Sequence, residues 1–229
     1  DHTGYYSLPD FYPRFHVTAI THRKDAVYPA TIVGIPPQED AWLGKATERI
    51  FLTPIKMTMV PEITDMNMPV EGVFHNLVIT TINKEYAGQG QKVMNAMWGA
   101  GQMMFNKILV LTDGVAESKT KIDDYKPLAQ YIFNNVNPVT DIYFSQGPMD
   151  VLDHSCSKLG FGGKMCIDGT RKMEEEISAP LVPFKINAAF STSKIMAQFP
   201  EIKGINERLA KEWEIPVLFI AVEKERPFH

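Results

Sequence analysis

The spacing of hydrophobic positions changes several times along the chain, and each change marks an element. Residues 15–21 (FHVTAIT) and 26–33 (AVYPATIV) carry β-formers in alternation. The polar His22-Arg23-Lys24-Asp25 between them predicts a hairpin. Gly34-Ile35-Pro36-Pro37 closes this β region. From Gln38 to about Met59 the period becomes three to four: Leu43, Ala46, Thr47, Ile50 and Phe51 recur on one side, and Glu39 and Asp40 stand at the start. This predicts an amphipathic helix, with a domain boundary at the change of period. Strands at 73–82, 107–112 and 141–145 then alternate with helices at 88–106 and 123–135, the second capped by Asp123 or Asp124. A last helix at 206–214 and a last strand at 217–222 follow. Largely apolar strands joined by crossover helices imply a sheet covered on both faces, a three-layer α/β domain. Residues 160–194 are Gly-rich and then Pro-containing with little periodicity, which predicts an irregular functional loop or arm. Pro180, Pro183 and Ser191-Thr192-Ser193 suggest an arm that orders against a neighbouring subunit.

Composition narrows the function classes. Apolar residues make up 45% of the 229 and charged residues 22%, an ordinary globular balance. Twenty-three basic against 27 acidic residues give a net charge of −4, without a basic block, so nucleic acid is a poor partner. Two cysteines, Cys156 and Cys166, make no disulfide framework and suit a reducing cytoplasm. No apolar run reaches bilayer length, so no integral membrane segment is expected.

Candidate chemistry is sparse. His16, His22 and His75 lie in or beside strands and share no metal spacing, so they read as sheet residues. Gly88-Gln89-Gly90 at a helix start could cradle a phosphate, but it lacks the rest of a dinucleotide or P-loop fingerprint, and a tight strand-to-helix turn is the better reading. The methionines at 94, 97, 103 and 104 read as adaptable core packing. Residues 160–172 set Met165 and Ile167 among Lys164, Asp168, Arg171 and Lys172, a mixture compatible with function or with structure. Asp1-His2 before Thr-Gly-Tyr-Tyr reads as a surface turn on spacing alone.

Several blocks together are more specific. Asp1-His-Thr-Gly-Tyr-Tyr6, His16-Val-Thr-Ala-Ile-Thr-His-Arg23, Pro36-Pro-Gln-Glu-Asp40, Pro61-Glu-Ile-Thr-Asp-Met66, Gly72-Val-Phe-His-Asn76, Asp150-Val-Leu-Asp-His154 and Gly163-Lys-Met-Cys-Ile-Asp-Gly-Thr-Arg-Lys172 occur in this order. In these blocks, which cover most of residues 1 to about 173, the chain resembles the UbiD family of decarboxylases. The resemblance implies the last strands of a split β-barrel flavin domain at 1–37, a linking helix at 38–60, and a C-terminal α/β domain with an arm at 61–229. A typical member reads Glu-Gly-Pro-Phe-Gly just before the Asp-His-Thr-Gly-Tyr-Tyr block, so the absence of an initiator Met and lead-in suggests a portion of a longer chain.

The resemblance also implies chemistry. Family members use prenylated FMN, a divalent metal (Mn) and potassium, with most ligands upstream of the matching region. Asp1 falls at the position of the catalytic acid, which protonates the carbon that has lost CO2; a carboxyl desolvated beside a flavin face can hold that proton near neutrality. His2, Met165 and Ile167 fall at the substrate pocket, and Lys126 and Lys164 at cofactor-contacting positions. Asp before His-Thr-Gly-Tyr-Tyr resembles the quinone-biosynthesis branch (ubiquinone or menaquinone). The expected function is therefore decarboxylation of an aromatic acid such as a polyprenyl-hydroxybenzoate, in a cytoplasmic homo-oligomer supplied by a flavin prenyltransferase, with the 229 residues alone inactive. Two other readings are an oligomerisation or scaffold module, with Met94, Met97, Trp98 and Met104 packing partly on another subunit, and a flavodoxin-like nucleotide domain resting on Gly88 and Gly90.

Overall fold

The computed structural model describes residues 1–7, 9–115, 120–156, 158–177 and 191–223. Its centre is a five-stranded mixed sheet in the order β1-β2-β3-β5-β4. β2 (Leu77–Ile82), β3 (Ile108–Thr112) and β5 (Phe161–Asp168) run parallel, while β1 (Ile63–Asn67) and β4 (Ile142–Pro148) are antiparallel edges. β2 and β3 are almost continuously apolar or Thr, as strands covered on both faces must be.

Helices cover the two faces. α1 (Glu39–Thr58) and α2 (Gln89–Gly99) bury Ile55, Val93 and Met97 against Ile63, Val78, Leu109 and Cys166. On the other face α3 (Tyr125–Asn135) places Leu128 and Ile132 on Ile79, with Val110, Ile142 and Ile167 around them. The expected three-layer α/β domain is therefore present. α4 (Thr192–Gln198), β6 (Ile202–Asn206), α5 (Arg208–Glu212) and β7 (Phe219–Val222) form a C-terminal unit, in which β6 and β7 pair antiparallel. It is tied to α3 by a bond from Gln130 Nε2 to the Trp213 carbonyl, 2.8 Å.

Several local expectations are corrected. Residues 15–33 form no strand ladder; the alternation is there, but no neighbouring strand among the described residues supplies hydrogen bonds, and Val17, Ile20, Val27 and Tyr28 are exposed. The helix expected at 88–106 stops at Gly99: Gly101 takes φ +50°, and residues Gly101–Phe105 continue as a 3-10 turn. The strand expected from 73 starts at Leu77, because Val73 and Phe74 are both left-handed (φ 52° and 45°). Residues 161–168, within the stretch expected to be irregular, are the interior strand β5. Its alternation is inverted in chemistry, since Gly162, Lys164, Cys166 and Asp168 are the buried positions. Part of the expected arm, residues 178–190, lies outside the described residues; beyond it Ser191 caps α4, accepting from the Lys194 N–H at 3.4 Å. Met97 is buried, and Met94, Trp98 and Met103 are half-buried against the same core, which supports the core reading of these residues.

Candidate active site

The parallel strands give the sheet two distinct ends. At the C-terminal ends of β2, β3 and β5, where open α/β sheets commonly bind ligands, this chain places its own side chains. Lys84 is fully buried and its ammonium bonds Thr170 Oγ1 (3.0 Å) and both oxygens of Glu176 (2.8 and 2.6 Å). Burial works to raise the Glu176 pKa, but the bonds from Lys84 and from the N–H groups of Met173 and Gly88 outweigh it and lower the pKa. Asp168 accepts from the Thr170 N–H (3.0 Å) and hydroxyl (2.6 Å), and a Cβ at Gly90 would lie 2.2 Å from Asp168 Oδ2. The start of α2 is thus filled by Asp168 and Glu176. A phosphate there would meet two carboxylates, which removes the support for a nucleotide domain at Gly88 and Gly90.

Lys164 and Lys172 are structural in the same sense. The Lys164 ammonium donates to the carbonyls of Met104 (2.5 Å) and Asn106 (2.7 Å) and lies 5.9 Å from the Trp98 ring centre. Burial pushes its pKa down to about 8. Lys172 bonds the Asp168 carbonyl at 2.8 Å and pairs with Asp141 at 3.3 Å. Gly169 is required because a Cβ would approach Ile132 Cγ2 to 2.5 Å. The charged block at 164–172 is therefore a fastening between strand ends, α2 and α3.

The N-terminal ends of the same strands carry a different cluster. Residues 1–4 form a turn closed by the Gly4 N–H to the Asp1 carbonyl (3.1 Å), with Gly4 at φ +87°. Asp1 Oδ1 accepts from the Thr3 N–H (2.8 Å) and from the Thr3 hydroxyl, and Oδ2 accepts from the Ser7 hydroxyl (3.2 Å). Its side chain is only 10% exposed and faces His154 Nε2 at 3.8 Å. Next to it, His2 Nε2 lies 3.1 Å from His75 Nε2, which is 3.5 Å from Asp150 Oδ2. The His2 ring also packs on Phe74, centres 5.5 Å apart. Burial lowers the His75 pKa; Asp150 opposes this and His2 adds to it.

His75 and Asp150 stand at one end of a cleft of about 500 Å³ whose walls include Leu43, Phe51, Met68, Phe74 and Met103. α1 forms one wall and is held by the buried Glu48, which pairs with Lys45 (2.9 Å), accepts from Arg49 Nε (2.8 Å) and accepts from the Met68 N–H (2.5 Å).

Of the residues singled out from the sequence, the structure brings Asp1 and His2 together. Met165 and Ile167 lie half-buried on β5, and Ile167 lines a separate apolar pocket of about 150 Å³ beneath α3. Lys126 is exposed in the first turn of α3. His75, Asp150 and His154 were missed as site residues. Their approach to residues 1 and 2 spans more than 70 positions, which no local spacing reveals. The recurrence of His and Asp in the quoted family blocks was the only signal that singled them out.

Two family descriptions match the chain. The 3-octaprenyl-4-hydroxybenzoate carboxy-lyase (UbiD) C-terminal domain matches residues 41–169, and the Rift-related domain of the same carboxy-lyase matches residues 1–36. The first alone covers more than half of the chain. The chain belongs to the UbiD family. A relative from Archaeoglobus fulgidus, described as an uncharacterized protein, is 49% identical over 177 residues, 77% of this chain and 36% of its own length. A second, from Aquifex aeolicus and described in the same way, is 48% identical over 77% of this chain and 35% of its own length. The chain thus spans about a third of the length of these relatives. Among solved structures, the closed form of Sedimentibacter hydroxybenzoicus vanillic acid decarboxylase superposes with a TM-score of 0.61 at 22% identity, covering 79% of this chain and 37% of that one. The UbiD-class enzyme HmfF from Pelotomaculum thermopropionicum, solved in complex with FMN, gives 0.52 at 19%, covering 73% and 36%. At these identities the two establish the shared fold.

The described residues do not build a flavin site by themselves. Lys164 is committed to main-chain carbonyls and the α2 terminus to carboxylates, leaving exposed Lys126 as the remaining flavin-contacting residue implied by family resemblance. The one cluster of three metal-ligating His, Cys, Asp or Glu side chains among the described residues is His2, His75 and Asp150, rich in imidazole. No helix among the described residues is long and apolar enough to cross a membrane.

Proposed function

We propose that this chain is the acid-bearing portion of a prenylated-FMN-dependent decarboxylase of aromatic acids. It comprises the end of the flavin-binding barrel (1–37), a linking helix (38–60) and a C-terminal α/β domain with an arm (61–229). The observation that carries this reading is the UbiD family match over both regions, with Asp1, at the family's acid position, held by Thr3 and Ser7 at the edge of the α/β domain. In the reading, prenylated FMN supplies the electron sink for loss of CO2, and its phosphate, Mn and potassium ligands lie in the barrel outside these residues. This chain supplies the proton. Asp1 Oδ2 gives it to the carbon that CO2 has left, and the hydroxyls of Thr3 and Ser7 fix the carboxyl's orientation.

Exposed Phe11, Phe15, Val17, Ile20 and Tyr28 support the barrel assignment, because strands with such side chains need a partner sheet. The substrate class is a hydroxybenzoate- or naphthoate-type quinone precursor. The apolar cleft beside His75 is large enough for an aromatic ring or a prenyl chain. His2, Met165 and Ile167 are assigned to the substrate and Lys126 to the flavin by resemblance; Lys164 is not used. A soluble homo-oligomer supplied by a flavin prenyltransferase in the cytoplasm completes the proposal. The test is CO2 release from a panel of hydroxybenzoic and hydroxynaphthoic acids by the full-length protein, with and without prenylated FMN. Release that depends on the cofactor is expected; no release from any acid by loaded protein would overturn the reading.

A further inference from the structure

Three metal-ligating atoms converge at the N-terminal edge of the sheet. His75 Nε2 faces His2 Nε2 at 3.1 Å and Asp150 Oδ2 at 3.5 Å. A single hydrogen between the two imidazoles serves the first contact and leaves Asp150 without a hydrogen bond to His75, whereas a cation between the three atoms would engage all of them.

The spacing suits such an ion. Tetrahedral zinc, with bonds of about 2.0–2.2 Å to nitrogen and oxygen, sets its ligand atoms roughly 3.3–3.5 Å apart. The three donor atoms all lie within 4.8 Å of one another, with His2–His75 at 3.1 Å and His75–Asp150 at 3.5 Å. Two of the three ligands are also held from behind. Asp150 Oδ1 accepts the Leu152 N–H at 2.8 Å, which turns Oδ2 toward His75, and the His2 ring rests on Phe74. Two imidazoles and one carboxylate select a borderline ion of the Zn2+ type over Mg2+, Ca2+ or K+.

We propose that His2 Nε2, His75 Nε2 and Asp150 Oδ2 form a binding site for a divalent transition metal of the Zn2+ type, which clamps the Asp1–Gly4 turn to the edge of the α/β domain. Three protein ligands leave a tetrahedral ion one position for water or an anionic oxygen, on the side where His75 and Asp150 line the cleft. The site does not rest on the decarboxylase reading, because its ligands belong to this chain and its test reads metal binding rather than turnover.

The test is a titration of the metal-free full-length protein and its ligand variants with Zn2+ and, separately, Co2+, followed by calorimetry and visible absorption. The parent should bind about one ion per chain more than His75→Gln, with the intense Co2+ bands of low coordination number. His75→Gln and Asp150→Asn, each near the shape of the original, should each weaken Zn2+ binding by about tenfold or more. His16→Ala with His22→Ala, at exposed positions, should leave it unchanged. Zn2+ should also slow proteolysis within residues 5–12 in the parent chain and not in His75→Gln. Circular dichroism confirms that each variant is folded, and if one ligand variant is not, the other decides. Saturation well below one ion per chain, equal affinity in the folded ligand variants, or loss of affinity in the His16/His22 variant would each overturn the site.

Discussion

The two ends of the sheet are built from similar residues to opposite effect. At the C-terminal ends of β2, β3 and β5, Lys84, Asp168 and Glu176 are closed into ion pairs and hydrogen bonds with Thr170, Lys172 and main-chain N–H groups. At the N-terminal ends, His2, His75 and Asp150 meet only through an imidazole–imidazole contact of 3.1 Å and an imidazole–carboxylate approach of 3.5 Å, and His75 and Asp150 border a 500 Å³ cleft. Charged residues in the first place hold the fold, and in the second they remain available to a ligand. Perturbed titration and an unusual motif therefore mark function only where the partners are incomplete.

That contrast can be broken at its structural end first. Lys84→Met leaves the Glu176 carboxylate without its buried cation and should cost about 3–5 kcal/mol, measured by urea unfolding. Gly169→Ala forces Ile132 away from the end of β5 and should cost about 1–3 kcal/mol. Lys164→Met strips the carbonyls of Met104 and Asn106 of their donor, a loss of about 1–3 kcal/mol near neutral pH. It should also flatten stability above pH 8: the folded pKa is lowered to about 8, so the unfolded chain holds more protons above it, and the parent gains stability as pH rises from there toward the ordinary lysine value.

A smaller effect belongs to Asp153, beside the cluster. Its carboxylate accepts from Lys107 (2.7 Å) and from Ser155, and these bonds overcome burial to hold its pKa at about 2. The resulting stability, roughly 2 kcal/mol, is complete above the unfolded value near 4 and is lost as pH falls from there through 2. Lys107→Ala should remove most of that acid-side slope in an unfolding series between pH 5 and 2.

How much of this was legible depends on which residues carried the pattern. α1 and α3 show a three-to-four period and β2 and β3 continuous apolar runs, so the layered domain could be read from one sequence. β5 could not, because Lys164 and Asp168 occupy its buried positions and their partners, main-chain carbonyls and Thr170, come from the fold. The hairpin expected at 15–33 shows the reverse failure, a true alternation without a neighbouring strand to pair with. Asp1 and His2 follow from the family resemblance, whereas His75 reads as a sheet residue because it lies in a strand-like stretch without metal spacing, and its partner His2 is 73 positions away.

The most direct test of the account is a paired measurement of turnover and melting temperature for Asp1→Asn in the full-length protein loaded with prenylated FMN. The account predicts turnover lower by about 100-fold or more, with melting within about 2 °C of the parent, since the side chain lies at the functional edge and holds no core. Unchanged turnover, or a loss of activity that follows a fall in melting temperature, would contradict it.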